Sequence, residues 1–149
     1  MNKGNYLKFF ITLAISFITM YSVMYLNVDQ FSHIYISLTR FYMTLLMITP
    51  MAILMLLVMK KMYMNKKLNL LILLSSLGIF ILAFALLRTQ TPITDRQYIK
   101  AMIPHHSSAI LNSKKADIYD PELKKLSEQI IRSQEEEIAQ MKNILKRIE

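Results

Sequence analysis

The chain has 149 residues, of which 54% are hydrophobic and only 19% are charged. A typical soluble protein has about 45–50% apolar and about 25% charged residues, so an ordinary soluble domain and a disordered polar chain are both disfavoured. The absence of cysteine excludes disulfides, iron–sulfur clusters and cysteine nucleophiles. The formal net charge is +8, and the two glycines and four prolines are too few for a turn-rich all-β fold.

Three apolar segments predict membrane-spanning helices. Residues 9–26, 41–59 and 68–87 carry no charged side chain, and each approaches the ~20 residues that cross a hydrocarbon layer about 30 Å thick. A soluble domain of this size has no way to cover three such helices. Lys3 and Lys8 before the first segment are also typical of a signal peptide, but the apolar run exceeds the usual core of about 7–15 residues and favours a retained anchor.

The distribution of charge predicts an orientation. Residues 1–92 carry a net charge of +7 and residues 93–149 one of +1. Four lysines lie in the turn 60–67, which the positive-inside rule keeps in the cytoplasm together with the N-terminus. The chain then divides into a three-span membrane domain at 1–90 and an outside domain at 91–149. The lysines flank the spans, so they are explained by topology and the lipid bilayer, and no nucleic-acid partner is expected.

The outside domain is predicted to be a hairpin of two helices. Thr94 and Gln97 match a capping box for a first helix at 95–116, and Asp120 with Pro121 favours the start of a second helix that reaches about Ile148. Each helix has a stripe of side chains at three- or four-residue steps. The first stripe is Tyr98, Met102, His106, Ala109, Ser113 and Ala116, and the second is Leu123, Leu126, Ile130, Gln134, Glu137 or Ile138, Met141, Leu145 and Ile148. Two helices do not enclose a core, so we expect an all-α fold that completes a four-helix bundle by oligomerisation.

Polar side chains interrupt both stripes. Met102 and His106 are one helical turn apart, as are Glu137 and Met141, and His105 borders the first pair. In an antiparallel hairpin these groups bring thioether, imidazole and carboxylate together. Each also has a structural interpretation, because methionine fills gaps in cores and acidic runs are often solvated. Buried polar groups need partners, so the spacing alone leaves both interpretations open.

Two segments of the hairpin carry a distinctive pattern. They read Asp95-x-x-Tyr98-x-x-x-Met102-Ile103-Pro104-His105-His106-x-x-Ala109-Ile110 and Gln134-x-x-Glu137-Ile138-x-x-Met141. This pattern resembles the bacterial domain-of-unknown-function 305 family over about residues 93–149. The resemblance implies a ferritin-like helical bundle outside the bacterial cytoplasmic membrane, in a family with some members associated with copper binding and tolerance. It implies the metal ligands Met102, His105, His106, Glu137 and Met141, with Glu137 as ligand or supporting group. A further methionine that many members carry after the histidine pair is missing, since that region reads Leu111-Asn112-Ser113.

The donor set favours particular metals and a binding function. Thioether with imidazole suits Cu(I) and Ag(I), whereas imidazole with carboxylate also accepts Cu(II) or Zn(II). No Glu-x-x-His motif of a di-iron protein is present, and Ser107 and Ser108 have no evident orienting acid, so no enzymatic activity is expected. We predict a membrane-anchored extracytoplasmic binder of copper or a similar soft ion in metal tolerance or homeostasis. Its expected partners are other copies of itself, the lipid bilayer and a metal exporter or metal chaperone. The alternative is a non-metal helical oligomerisation or interaction module, or an accessory subunit of a transporter.

Methionines also recur in the second span. Met43, Met47, Met51, Met55 and Met59 follow one another at four-residue steps. Because such a row turns by about 40° at each step, it does not form one straight stripe, and we interpret it as packing. A second soft-metal site formed by Met20, Met24, Met43 and Met47 with His33 is the alternative.

Overall fold

The computed structural model describes residues 3–148, and this part of the chain is all-helical. The five helices are α1 (Lys3–Val23), α2 (Leu38–Val58), α3 (Lys66–Thr89), α4 (Asp95–Lys115) and α5 (Pro121–Ile148). A short 3₁₀ turn at Phe31–His33 precedes α2, and residues 3–148 contain no strand. The predicted all-α fold, with three apolar helices followed by a two-helix hairpin, is confirmed.

The first three helices are long and apolar enough to cross a membrane. The candidate spans are Gly4–Val23, Leu38–Val58 and Lys66–Thr89, so the predicted number is correct and the bounds shift by a few residues. Asn65 caps the N-terminus of α3, because its side chain accepts a hydrogen bond from the Leu68 amide at 3.1 Å. Membrane insertion is compatible with these helices, and the orientation stays a prediction.

The chain divides into two compact units. The first contains residues up to Val23 together with Thr39–Pro92, and the second contains Met24–Leu38 together with the residues from Ile93 onward. We call Met24–Leu38 the connecting segment, because it joins α1 to α2. The structure therefore adds this segment to the hairpin that the sequence predicts at 91–149.

The first unit has its core near the lysine-rich turn. Tyr63 in that turn is buried, and its ring lies 5.4 Å from that of Phe9 in an edge-on contact. The Tyr6 hydroxyl donates to Asn69 Oδ1 at 2.7 Å and accepts from the Asn65 amide at 3.1 Å. The turn between α2 and α3 is thus held by both packing and hydrogen bonds. The buried core residues are Phe9, Ala52, Leu56, Tyr63 and Ile72.

The core of the second unit corrects the predicted stripe on the first hairpin helix. Ile99, Ile103 and Ile110 of α4 are buried against Ile138 and Leu145 of α5. The buried face is therefore offset by one residue from the predicted stripe. Tyr98 is 55% exposed, and Met102 and His106 are half-buried at the edge of the core. Three isoleucines outweigh the polar and small residues in choosing the buried face, because burial favours the larger apolar side chain.

Local signals at the two helix starts have different outcomes. Thr94 stands at the N-cap of α4, but its side chain makes no capping hydrogen bond. The predicted capping box is wrong, because Gln97 Oε1 instead accepts from the Leu38 amide at 2.9 Å. The prediction for α5 is confirmed, since Asp120 Oδ1 accepts from the Leu123 amide at 2.7 Å and Pro121 is the first helical residue.

The connecting segment covers part of the hairpin. Tyr35 packs against the core of α4 and α5, and its carbonyl accepts a hydrogen bond from the Tyr25 hydroxyl at 2.7 Å. The hairpin thus gains a third layer from its own chain. Leu123 and Leu126 of α5 remain 50% and 49% exposed, and the predicted oligomerisation stays a prediction.

Candidate metal centre

The register of the hairpin decides which predicted ligands meet. Three contacts between α4 and α5 join Arg96 to Ile148, His106 to Glu137 and Ser113 to Ser127. The two helices are therefore antiparallel. Met102 lies one turn before His106 and Met141 one turn after Glu137, so the two methionines stand at the same level of the hairpin, one turn away from the His106–Glu137 contact.

His106 and Glu137 are in direct contact. His106 Nδ1 lies 3.1 Å from Glu137 Oε2, with the histidine side chain 12% exposed and the glutamate 49% exposed. The distance is that of an ion pair, but Nδ1 has no partner that satisfies hydrogen-bond geometry. The carboxylate is thus close to the ring nitrogen without fully satisfying it.

The protonation state of His106 suits a metal ligand. Burial lowers the pKa of His106 below its ordinary value of 6.5, and the neighbouring His105 lowers it further. The Glu137 carboxylate acts in the opposite direction and raises this pKa, but burial has the larger effect. The imidazole is therefore mainly neutral at pH 7, which is the form that coordinates metals.

His105 stands apart from this pair. Its side chain is exposed, and its ring centroid lies 6.0 Å from that of His106, at an interplanar angle of 59°. Consecutive residues on an α-helix point about 100° apart, which explains why the two rings diverge. Within residues 3–148, no group of three or more histidine, aspartate or glutamate side chains is arranged to hold a metal ion. A metal site in the hairpin therefore depends on the thioethers of Met102 and Met141.

Gln134 is a polar residue of the predicted stripe that the ligand prediction omitted. It lies one turn before Glu137 on α5, and its Oε1 atom is buried without a hydrogen-bond partner. A buried acceptor without a hydrogen-bond partner lowers the free energy of unfolding by about 1–3 kcal/mol. The sequence signal was a glutamine in an otherwise aliphatic stripe. His106 and Gln134 thus give the hairpin two buried polar atoms that lack satisfactory partners.

A second polar cluster ties the connecting segment to α4. The Ser107 hydroxyl is fully buried, accepts from the Asp29 amide at 2.8 Å and lies 2.9 Å from His33 Nδ1. Lys114 Nζ pairs with Asp29 Oδ2 at 3.2 Å and with Glu135 Oε1 at 3.0 Å, and these contacts raise the pKa of Lys114. We call these five residues the clasp. His33, the residue assigned to the alternative soft-metal site in the sequence analysis, contacts Ser107 in this cluster.

Comparisons with known proteins agree with the pattern in the hairpin. The profile of the family described as "Domain of unknown function (DUF305)" matches residues 82–145. An uncharacterized protein of Acanthamoeba polyphaga mimivirus is 39% identical over 133 residues, which cover 87% of this chain and 86% of the relative. The chain belongs to the DUF305 family. No solved structure matches the chain.

The DUF305 match contains every predicted ligand and extends beyond them on both sides. It begins within α3 and ends near the end of α5. The alignment with the mimivirus protein spans 87% of the chain, so it takes in α2 and α3 as well as α4. The relative is viral, so the bacterial origin implied by the resemblance is not confirmed.

Within this DUF305 domain, the structure brings the five predicted ligands together unequally. His106 and Glu137 are in contact. Met102 and Met141 are placed beside them by the register, and both are half-buried. His105 is exposed.

Proposed function

We propose that the DUF305 hairpin binds a soft metal ion, with Cu(I) as the first candidate, in metal tolerance or homeostasis. The proposed ligands are the thioethers of Met102 and Met141 and the imidazole of His106, with Glu137 as a fourth ligand or as a support for the ring. The apolar helices α1–α3 hold the hairpin at a membrane. The 3.1 Å contact of His106 with Glu137, one turn from both methionines, carries this proposal.

The donors and their surroundings support a soft ion. Two thioethers and a neutral imidazole match the preference of Cu(I) and Ag(I), and the carboxylate extends the set to Cu(II) or Zn(II). His106 Nδ1 is buried without a hydrogen-bond partner, and a bound ion would relieve that deficit. The 12% exposure of the His106 side chain leaves a path from solvent.

The site has the composition of a binder rather than a catalyst. Its donors are thioether, imidazole and carboxylate, and the nearest hydroxyl on α4, that of Ser107, is fully buried and engaged by the clasp. We therefore propose capture and release of the ion. Partners that exchange metal with the hairpin, such as an exporter or a metal chaperone, follow from this proposal.

Metal titration of the purified full-length protein in detergent tests the proposal. Cu(I), Ag(I), Cu(II) and Zn(II) are titrated separately, and bound metal is counted per chain. We expect His106→Ala and Met141→Leu to abolish tight Cu(I) or Ag(I) binding. His105→Ala is the matched histidine control and Met59→Leu the matched thioether control, and both should retain it.

The result that would overturn the proposal is equally specific. If no ion binds more tightly to the unsubstituted protein than to the His106→Ala variant, the hairpin is not a metal site at these residues. Helix content is measured by circular dichroism for each variant, so that loss of binding is separated from loss of fold.

An interaction module is the second candidate function. It is favoured by the apolar surface at the turn end of the hairpin, where Tyr119 is 91% exposed and Leu123 and Leu126 are about half exposed. Under this function, Leu126→Glu would change self-association measured by light scattering, whereas His106→Ala would not. Metal binding would then be absent or independent of both residues.

A further inference from the structure

We infer that the unit formed by α1, α2 and α3 holds one anionic phospholipid, with an acyl chain in a groove between the helices and the headgroup at the lysine-rich turn. The groove has a volume of about 430 Å³ and receives side chains from all three helices. Representative lining residues are Leu13 and Ala14 of α1, Ile48 and Ala52 of α2, and Ile72 and Ser76 of α3.

The length of the groove matches one acyl chain. Its lining on α3 runs from Leu68 to Ile79, a rise of about 16 Å at 1.5 Å per residue. The hydrocarbon core of a bilayer is about 30 Å thick. The groove therefore extends through about one leaflet, which is the depth that the chains of a phospholipid occupy.

The surface of the groove suits hydrocarbon. Two of its hydroxyl groups are turned back to the backbone of their own helices. Thr49 Oγ1 donates to the Leu45 carbonyl at 2.8 Å, and Ser75 Oγ donates to the Ile72 carbonyl at 3.0 Å. With these groups satisfied, a polar ligand gains little from entering, whereas an alkyl chain loses no hydrogen bond.

One end of the groove is strongly basic. Leu68 at this end directly follows Lys66 and Lys67, and Phe9 in the lining directly follows Lys8. These three lysines are exposed, as are Lys60 and Lys61. Residues 1–23 and 39–92 contain no aspartate or glutamate, so no acidic side chain of this unit neutralises them. An anionic headgroup would supply the negative charge that neutralises these lysines.

The lysine-rich turn at the basic end of the groove is held in place by packing and hydrogen bonds. Tyr63 of the turn is buried in the core of the unit, and the Tyr6 hydroxyl bonds to both Asn65 and Asn69. Asn5 Nδ2 also donates to the Met62 carbonyl at 3.0 Å. Lys66 and Lys67, which begin α3, are therefore held at the mouth of the groove.

A helix from a second copy matches the groove less well than a single alkyl chain does. An α-helix with side chains is about 10–12 Å wide, which is much wider than an extended hydrocarbon chain. A second copy would also bring another set of lysines to the same mouth. Both the size and the charge favour a lipid.

Native mass spectrometry of the full-length protein tests the site. The protein is reconstituted in nanodiscs that contain phosphatidylglycerol and phosphatidylcholine in equal amounts with identical acyl chains, and the lipids retained after release are identified. We expect one phosphatidylglycerol per chain to be retained in preference to phosphatidylcholine. Because each lysine near an anionic surface strengthens binding by about fivefold, the double variant Lys66→Gln/Lys67→Gln should lose roughly 25-fold in this preference. The charge control is Lys124→Gln/Lys125→Gln in the hairpin, which should keep it.

A second pair of variants tests the groove itself. Ala14→Phe places a ring in the groove and should abolish retention, whereas Ala85→Phe, on an exposed part of α3 outside the lining residues, should not. Equal retention of the two lipids, or unchanged retention by Ala14→Phe, would overturn the inference. So would a dimer that holds no lipid and is lost in Ala14→Phe. If Ala14→Phe does not fold, the lysine double variant still decides the question.

Discussion

His33 Nδ1 lies 2.9 Å from Ser107 Oγ, and this contact joins the connecting segment to the middle of α4. The Ser107 hydroxyl also accepts from the Asp29 amide at 2.8 Å. A hydroxyl has one donor and two acceptor sites, so Ser107 Oγ donates to Nδ1 or accepts from it according to the tautomer of His33. Because His33 is only 5% exposed and Ser107 is fully buried, a positive charge on the ring would be poorly solvated.

The clasp predicts a loss of stability in mild acid. Burial lowers the pKa of His33 below its ordinary 6.5, Lys142 and Lys114 act in the same direction, and Asp29 opposes them. The unfolded chain therefore binds this proton near pH 6.5, whereas the folded chain binds it only at lower pH. Stability from His33 is complete above about pH 6.5 and decreases as the pH falls from there toward the folded pKa.

Thermal unfolding between about pH 5 and pH 8, followed by circular dichroism, measures this effect. We expect Tm to fall below pH 6.5 and this fall to become shallower in His33→Gln. His105→Gln serves as the control, since His105 is exposed. An identical pH dependence in the unsubstituted protein and His33→Gln would show that the clasp is not the titrating element.

The buried and exposed contacts of the clasp should differ in their contribution to stability. Ser107→Ala leaves the Asp29 amide and the His33 ring without their partner, which costs about 1–3 kcal/mol. Lys114→Gln removes two ion pairs of a side chain that is 37% exposed, and solvent screening limits this cost to less than about 1 kcal/mol. Denaturant unfolding of both variants in the same detergent gives the comparison. A larger loss of stability in Lys114→Gln than in Ser107→Ala would contradict this prediction.

The elements that the sequence predicts well are those with local signals. The apolar runs of α1–α3 and the Asp120-Pro121 start of α5 depend on neighbouring residues only. The clasp has no such signal, because its contacts join residues that are 74 and 78 positions apart and no periodicity marks them. Gln97 shows the same limit, since a glutamine three residues after Thr94 matches a capping box whether or not a distant amide competes for it.

The proposed metal ligands likewise include residues with a local sequence signal and residues without one. The turn spacing in each helix predicted Met102 with His106 and Glu137 with Met141, and the antiparallel register then brings the two pairs together. His105 was included through the family resemblance, and its direction depends on a helix rotation that is set by the buried isoleucines of α4. The missing hydrogen-bond partner of Gln134 Oε1 is not predictable from the sequence, because it depends on the positions of all the atoms that surround this oxygen in the fold.

The offset of the buried face on α4 predicts a large difference between two neighbouring positions. Ile103 is fully buried, whereas Tyr98 is 55% exposed although it begins the predicted stripe. Ile103→Ala should cost about 2–5 kcal/mol in the free energy of unfolding, because it removes buried methyl groups and leaves a cavity. Tyr98→Ala should stay within about 0.5 kcal/mol. Similar losses at both positions would mean that α4 is rotated relative to the structure.

Gln134 offers a test that separates stability from metal binding. Gln134→Leu removes a buried acceptor that has no partner, so we expect the metal-free protein to become more stable by about 1 kcal/mol. Gln134 lies one turn before Glu137 and Met141 one turn after it, so the same change should leave Cu(I) binding unchanged. Denaturant midpoints and metal titration are measured on one preparation, with the exposed Gln140→Leu as control. A loss of stability in Gln134→Leu would show that Oε1 has a partner, such as water.

The absence of cysteine makes the orientation directly measurable. In Lys61→Cys and Tyr119→Cys, the introduced thiol is the only one in the chain, and Tyr119 is 91% exposed. By the positive-inside rule, a membrane-impermeant maleimide applied to intact cells should label the variant at 119 and not the variant at 61, and permeabilisation should make both reactive. The opposite pattern would put the hairpin in the cytoplasm. The proposed metal ligands would then face the cytoplasmic metal pool, and the lysines at the mouth of the groove would contact the outer leaflet, where anionic headgroups are fewer.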